Sequence, residues 1–180
     1  MLPARGLRPG RPNELLVKVD SRKNPRLLEG WWNWGGIVRP VHLVPVGRAY
    51  LRDLGTMSRV ECKGPARRCE ASLLLDGVLE RRGASMIDPV LEVRLRAPGG
   101  RVIRRSFPLG AQQAARRRMR MSMQVPAPQL WSPDHPRLYS ARFTLRDRGR
   151  VQQVVRRSVG LRSMKVEHGL LYLNLSLIHI

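Results

Sequence analysis

Lysine is scarce in this 180-residue chain: of 34 basic residues only Lys18, Lys23, Lys63 and Lys165 are lysines, and the others are arginines. Acidic residues number only 13, leaving a formal charge of +21. Such a balance ordinarily points to nucleic acid. Yet aromatics make up only 5% of the chain, and the interleaving of aromatic with basic residues that forms a base-stacking platform is missing. The arginines are scattered through strand-like alternations such as Val93-Arg94-Leu95-Arg96, and only Arg116-Arg117-Arg118-Met119-Arg120 is dense. The skew fits a GC-rich coding sequence. Solvated strand faces, which also guard sheet edges, are therefore preferred over a nucleic-acid site. No apolar run of about 18 residues occurs, so no membrane span is expected. Arg5, Arg8 and Arg11 break up the N-terminal stretch where a signal core would lie. His42, His135, His168 and His179 are dispersed, which argues against a zinc site. The two cysteines, Cys62 and Cys69, flank Gly64-Pro65. A hairpin disulfide in an exported protein and two unrelated thiols both fit that spacing.

Glycine and proline are plentiful, 16 and 14 residues, and they punctuate short alternating runs. That pattern suits an antiparallel β-protein better than a helical bundle. The alternation predicts strands over Asn13–Asp20, Val38–Val46, Tyr50–Val60, Glu70–Leu75, Val90–Arg96, Arg101–Phe107, Met119–Val125, Leu138–Leu145, Val151–Ser158 and Leu161–Val166. Pro98-Gly99-Gly100 and Asp147-Arg148-Gly149 read as hairpin turns. Pro40 and Pro45 suit an edge strand or bulges. Met119, Met121, Met123 and Val125 alternate strictly, as core filling on a half-buried strand does. Ala111–Arg118 is the one stretch with room for a turn or two of helix.

Trp31-Trp32-Asn33-Trp34-Gly35-Gly36-Ile37-Val38-Arg39 concentrates three of the four tryptophans in four positions. Each such ring buries roughly 150–250 Å², so the cluster needs a substantial packing partner. This segment resembles the signature of glycoside hydrolase family 2, the β-galactosidase and β-glucuronidase group, where it leads into the last strand of a sugar-binding jelly roll. Leu130-Trp131-Ser132-Pro133-Asp134-His135-Pro136-Arg137-Leu138-Tyr139 resembles the element that enters the last hairpin of the family's immunoglobulin-like domain. Val159-Gly160-Leu161-Arg162 resembles the exit from that domain. Leu170-Leu171-Tyr172-Leu173-Asn174 resembles the small hairpin that opens the catalytic barrel.

The resemblance implies an all-β chain: an immunoglobulin-like antiparallel β-sandwich preceded by a partial jelly-roll β-sandwich. It divides the chain into residues 1–49 (end of the jelly roll), 50–166 (sandwich), 167–174 (start of the barrel) and 175–180. The last six residues resemble the translation of a transposase mosaic-end sequence and are expected to be non-biological. Family members hydrolyse β-glycosides with retention, using two glutamates about 5–5.5 Å apart on the barrel beyond Asn174. None of Glu14, Glu29, Glu61, Glu70, Glu80, Glu92 and Glu167 forms a convincing acid pair in the sequence. The chain is thus expected to hold no catalytic residue, cofactor or metal. Its partners would be the barrel of its own parent enzyme and, through that enzyme, a β-glycoside, with the oligomeric state left open. Members often carry an Asp before the aromatic pair that reaches the sugar pocket; Gly30 stands there in this chain, with Glu29 adjacent. Glu29, Trp32 and Asn33 are the candidate pocket-rim residues. Trp31, Trp34, Gly35, Gly36, Arg39, Trp131, Pro133, Pro136, Tyr139, Gly160 and Arg162 are expected to be structural. The competing readings are a basic nucleic-acid-binding β-protein, which rests on charge alone, and a stand-alone carbohydrate-binding sandwich, which would need an exposed aromatic platform.

Overall fold

A computed structural model of the chain describes residues 6–8, 10–20, 22, 26, 35–41, 44–63, 68–174 and 176–177. The chain divides into two compact units, Met1–Val44 and Pro45–Ile180. In the first unit the Asn13 amide accepts the Arg8 N–H and donates to the Arg8 and Arg11 carbonyls, closing a local turn. The strand expected over Asn13–Asp20 is not formed; these residues are exposed and irregular. The described part of Val38–Val46 is likewise irregular, and His42 and Leu43 lie outside the described residues. Alternation marks a face that could be buried. A strand exists only where a neighbour completes its ladder, and among the described residues no neighbour pairs with either segment.

The second unit is built from antiparallel strands. β1 (Ala49–Lys63), β2 (Arg68–Arg81) and β5 (Arg116–Val125) form one sheet in the order β1-β2-β5. β3 (Pro89–Arg96), β4 (Val102–Pro108), β6 (Leu138–Asp147) and β7 (Arg150–Gly160) form the other, in the order β4-β3-β6-β7. Both glycine-rich turns make the hairpins that the sequence predicts, β3–β4 and β6–β7. The inward residues of the two sheets meet in one core that includes Leu73, Leu75, Leu79, Leu91, Leu95, Tyr139, Phe143 and Leu145. Met119 and Met123 are buried in it, as their alternation predicts. A separate small sheet of β8 (Met164–Glu167), β9 (Leu170–Leu173) and β10 (Ser176–Leu177) follows.

Three departures from the sequence reading have local causes. β2 does not stop at Leu75 but runs on through Gly77 to Arg81. In β1 the register slips between Arg52 and Gly55, with Asp53 at φ 52°. This bulge lies opposite Gly77, where an added Cβ would stand 3.2 Å from the Leu54 Cα; the glycine permits close approach here rather than ending the strand. Ala111–Arg118 contains no helix. Gln112 is buried, its amide donates to the Leu79 and Ala114 carbonyls, and its backbone bridges Met86, so the chain is tied to β2 before β5 begins. Leu161–Ser163 leaves the ladder, and β8 starts only at Met164. Cys62 and Cys69 face each other across β1 and β2 and form a disulfide.

Candidate functional site

The polypeptide leaves the sandwich at the end of β7, and several motif residues converge there. Tyr139 opens β6 with its ring fully buried, and its hydroxyl accepts the Gln129 N–H at 2.8 Å. A tyrosine tied back to upstream backbone at this corner is a recurring lock of immunoglobulin-like sandwiches. It fixes the approach of Leu130 and Trp131. The Trp131 N–H then donates to the Leu161 carbonyl at 2.8 Å. The Trp131 side chain lies on Gly160: a Cβ added at Gly160 would come within 3.1–3.3 Å of the Trp131 Cγ, Cβ and Cδ1. The Arg162 guanidinium caps the same ring, 4.8 Å from its centroid, in a cation–π contact.

Asn174, just after β9, ties the outgoing hairpin to this cluster. Its Nδ2 donates to the Trp131 carbonyl at 2.8 Å and its Oδ1 accepts the Ser163 N–H at 3.0 Å. Its own N–H donates to the Ser163 carbonyl at 3.0 Å. The backbone there is left-handed (φ 50°), a conformation asparagine tolerates better than most residues. From the other sheet, Ser58 of β1 donates its Oγ–H to the Arg162 carbonyl (2.8 Å) and accepts the Arg162 N–H (3.1 Å). Three parts of the chain are therefore clamped at one point. Beside the clamp runs a groove of about 640 Å³ lined by residues that include Thr56, Ser58, Trp131, Leu138, Arg162 and Met164. Among the described residues no carboxylate, histidine or cysteine lines it. Its apolar and hydrogen-bonding walls suit packing.

The predicted structural residues Trp131, Tyr139, Gly160 and Arg162 are thus brought together. Pro133 and Pro136 are exposed and stiffen the loop between Trp131 and Tyr139. That loop is closed by the Ser132 N–H to the His135 carbonyl and by the His135 N–H to the Ser132 Oγ. Gly35, Gly36 and Arg39 are exposed. Glu29, Trp31, Trp32, Asn33 and Trp34 lie outside the described residues. Sequence reasoning missed Ser58 and the side-chain role of Asn174. Ser58 carries no signal of its own in the sequence. Asn174 sits where a turn needs a left-handed residue, which is the one clue to it.

Several of the acidic residues are engaged by cations. Glu61, Glu92 and Glu167 pair with Arg59, Arg146 and Lys165. Glu80, 12% exposed at its side chain, lies between Arg116 (3.3 Å) and Arg52 (3.6 Å). A hydrogen bond from the Tyr50 hydroxyl, helped by these guanidinium groups, holds the Glu80 carboxyl below the usual glutamate range and raises the Tyr50 phenol. The Arg118 hydrogen bond does the same to Asp76, with Arg120 adding to it.

The two sheets and the clamp define a class: an immunoglobulin-like β-sandwich whose exit is locked onto a following hairpin. A family model described as glycosyl hydrolases family 2 matches residues 67–162, more than half the chain, and the chain belongs to that family. A Formosa agariphila protein that bears a β-glucuronidase name is 26% identical over 167 residues, 90% of this chain and 19% of that protein. A β-galactosidase of Halalkalibacterium halodurans is 26% identical over 165 residues, 90% of this chain and 15% of that protein. The chain therefore spans less than a fifth of the length of these curated relatives. Among solved structures, a family 2 glycosyl hydrolase of Bacteroides cellulosilyticus superposes with a TM-score of 0.63 at 20% identity, covering 74% of this chain and 17% of that one. A β-glucuronidase of Ruminococcus gnavus superposes at 0.54 and 19% identity, covering 74% and 19%. These likenesses establish the shared fold.

Proposed function

We propose that this chain is the non-catalytic arm of a retaining β-glycosidase and that it braces the catalytic barrel continuing from Asn174. In this reading residues 1–49 are the end of a sugar-binding jelly roll, with Glu29, Trp32 and Asn33 at the rim of the substrate pocket. Residues 167–174 open the barrel, and 175–180 are a non-biological tail. The β-glucuronidase and β-galactosidase names of the relatives point to O-glycosyl bonds as the parent's target. The observation that carries the reading is the Asn174 clamp. It bonds the outgoing hairpin to both Trp131 and Ser163, so the direction in which the chain leaves the sandwich is fixed rather than free. Hydrogen bonds of this kind contribute about 0.5–1.5 kcal/mol each, enough together to hold one geometry against thermal motion. An active site assembled across such a junction depends on that geometry, because small misplacements of reacting groups lower rates steeply.

The purified chain, assayed with p-nitrophenyl β-glucuronide and p-nitrophenyl β-galactoside, is expected to release no p-nitrophenol above buffer. Turnover that follows the chain through two orthogonal chromatography steps would contradict a non-catalytic role.

A further inference from the structure

The outer face of the four-stranded sheet carries a row of arginines that the fold does not use. Arg104 of β4 lies opposite Arg94 of β3, Arg94 opposite Arg142 of β6, and Arg142 opposite Arg156 of β7. All four are exposed. With neighbouring strands about 4.8 Å apart, the row spans roughly 14 Å. Like charges directly opposite on a sheet face destabilise it, and among the described residues none of the four has an acidic partner. The acid on this face, Glu92, is held by Arg146 at 3.0 Å. The other sheet differs: Arg116, Arg118 and Arg120 are answered by Glu80 and Asp76. Four uncompensated positive charges thus stand in one straight line.

We propose that this row is a docking surface for an acidic polysaccharide, a chain of sugars bearing carboxylate or sulfate groups. Guanidinium forks bind carboxylates and sulfates in bidentate fashion and lose little hydration in doing so. A row with one cation per strand offers repeated anchors along a linear polyanion. The flanking registers supply hydroxyls for sugar contacts: Ser140 and Ser158 beside Arg96 on one side, and Ser106 beside Glu92 on the other. No aromatic residue stands in these rows, which removes the stacking that single-stranded nucleic acid uses. A flat sheet face also offers no helix or two-stranded ribbon for a duplex major groove. The proposal concerns binding by this chain and does not depend on where catalysis takes place.

The test is calorimetric titration of the full chain at about 50 mM salt with polygalacturonate, dextran sulfate, neutral dextran and a DNA duplex. Binding to one or both acidic glycans is expected, with none to neutral dextran and weaker binding to DNA. Polygalacturonate alone would name carboxylate as the recognised group, and dextran sulfate alone would name sulfate. The double variant Arg94→Ser/Arg142→Ser is expected to weaken binding about tenfold or more. Arg137→Ser/Arg150→Ser, equal in charge and away from the row, is expected to change it less than about twofold. Removing two facing cations is expected to leave the melting temperature unchanged or higher, so lost binding cannot be ascribed to unfolding. Equal losses in the two variants, tighter binding to DNA, or no binding to either acidic glycan would overturn the proposal.

Discussion

Gly160→Ala tests the contact at the centre of the clamp. The new methyl carbon would lie 3.1 Å from the Trp131 Cγ, 3.2 Å from its Cβ and 3.3 Å from its Cδ1. These atoms sit close to the main chain, and Trp131 is fixed through its N–H to Leu161 and through its carbonyl by Asn174. The ring therefore cannot swing aside as the tip of a flexible side chain would. Overpacking of this kind costs typically 1–3 kcal/mol. Replacing glycine by alanine in an extended segment returns about 0.5–1 kcal/mol through the unfolded chain and the strand. A net loss of about 1–2 kcal/mol is expected, and Tm should fall by roughly 3–8 °C for a domain of this size. Urea unfolding followed by far-UV circular dichroism reads the change. The diagnostic step repeats the substitution in a Trp131→Ala background, where the Cγ and Cδ1 contacts are gone and only the Cβ contact remains, so Gly160→Ala should cost much less there. Such non-additivity is the signature of two residues in contact. An equal loss in both backgrounds, or none in the wild-type background, would refute the reasoning.

Tyr139→Phe keeps the buried ring but leaves the Gln129 N–H without its acceptor, so a loss of about 1–3 kcal/mol is expected in the same urea assay. Asn174→Ala should leave the sandwich melting unchanged while abolishing hydrogen-exchange protection of the Ser163 amide. Cys62→Ser, or reduction of the disulfide, removes a short closed loop and should cost about 2–3 kcal/mol, visible as a lower urea midpoint under reducing conditions. Glu80 is held below the usual glutamate value of 4.5, so its stabilising contribution is complete above that value and fades as pH falls through the lowered one. Thermal melts should therefore drop below about pH 4.5, and Glu80→Gln should flatten that part of the profile.

Strand content was legible wherever alternation coincided with turn chemistry. Met119, Met121 and Met123 marked one face, and Pro98-Gly99-Gly100 and Asp147-Arg148-Gly149 marked two hairpins, because period and turn are both local properties. The misreadings came where a distant partner decided. The run expected over Glu70–Leu75 stops short of Gly77, yet β2 continues through it because the bulge at Asp53 approaches from the neighbouring strand. Gln112 looks able to join a helix until Leu79 and Met86 claim its hydrogen bonds. Asn13–Asp20 alternates as a strand does, yet no neighbour pairs with it among the described residues. At the clamp, Trp131, Gly160 and Arg162 stood out in the sequence because their spacing follows the family's motifs. Ser58 did not, since it reaches Arg162 across 104 residues and nothing in its own neighbourhood announces the contact.

Sequencing genomic DNA through codon 174 tests the central claim most directly. If the chain is the arm that braces a barrel, the frame will run on from Asn174 into a long segment encoding a (β/α)8 barrel with two strand-end glutamates. A genomic stop codon directly after Ile180 would contradict that account.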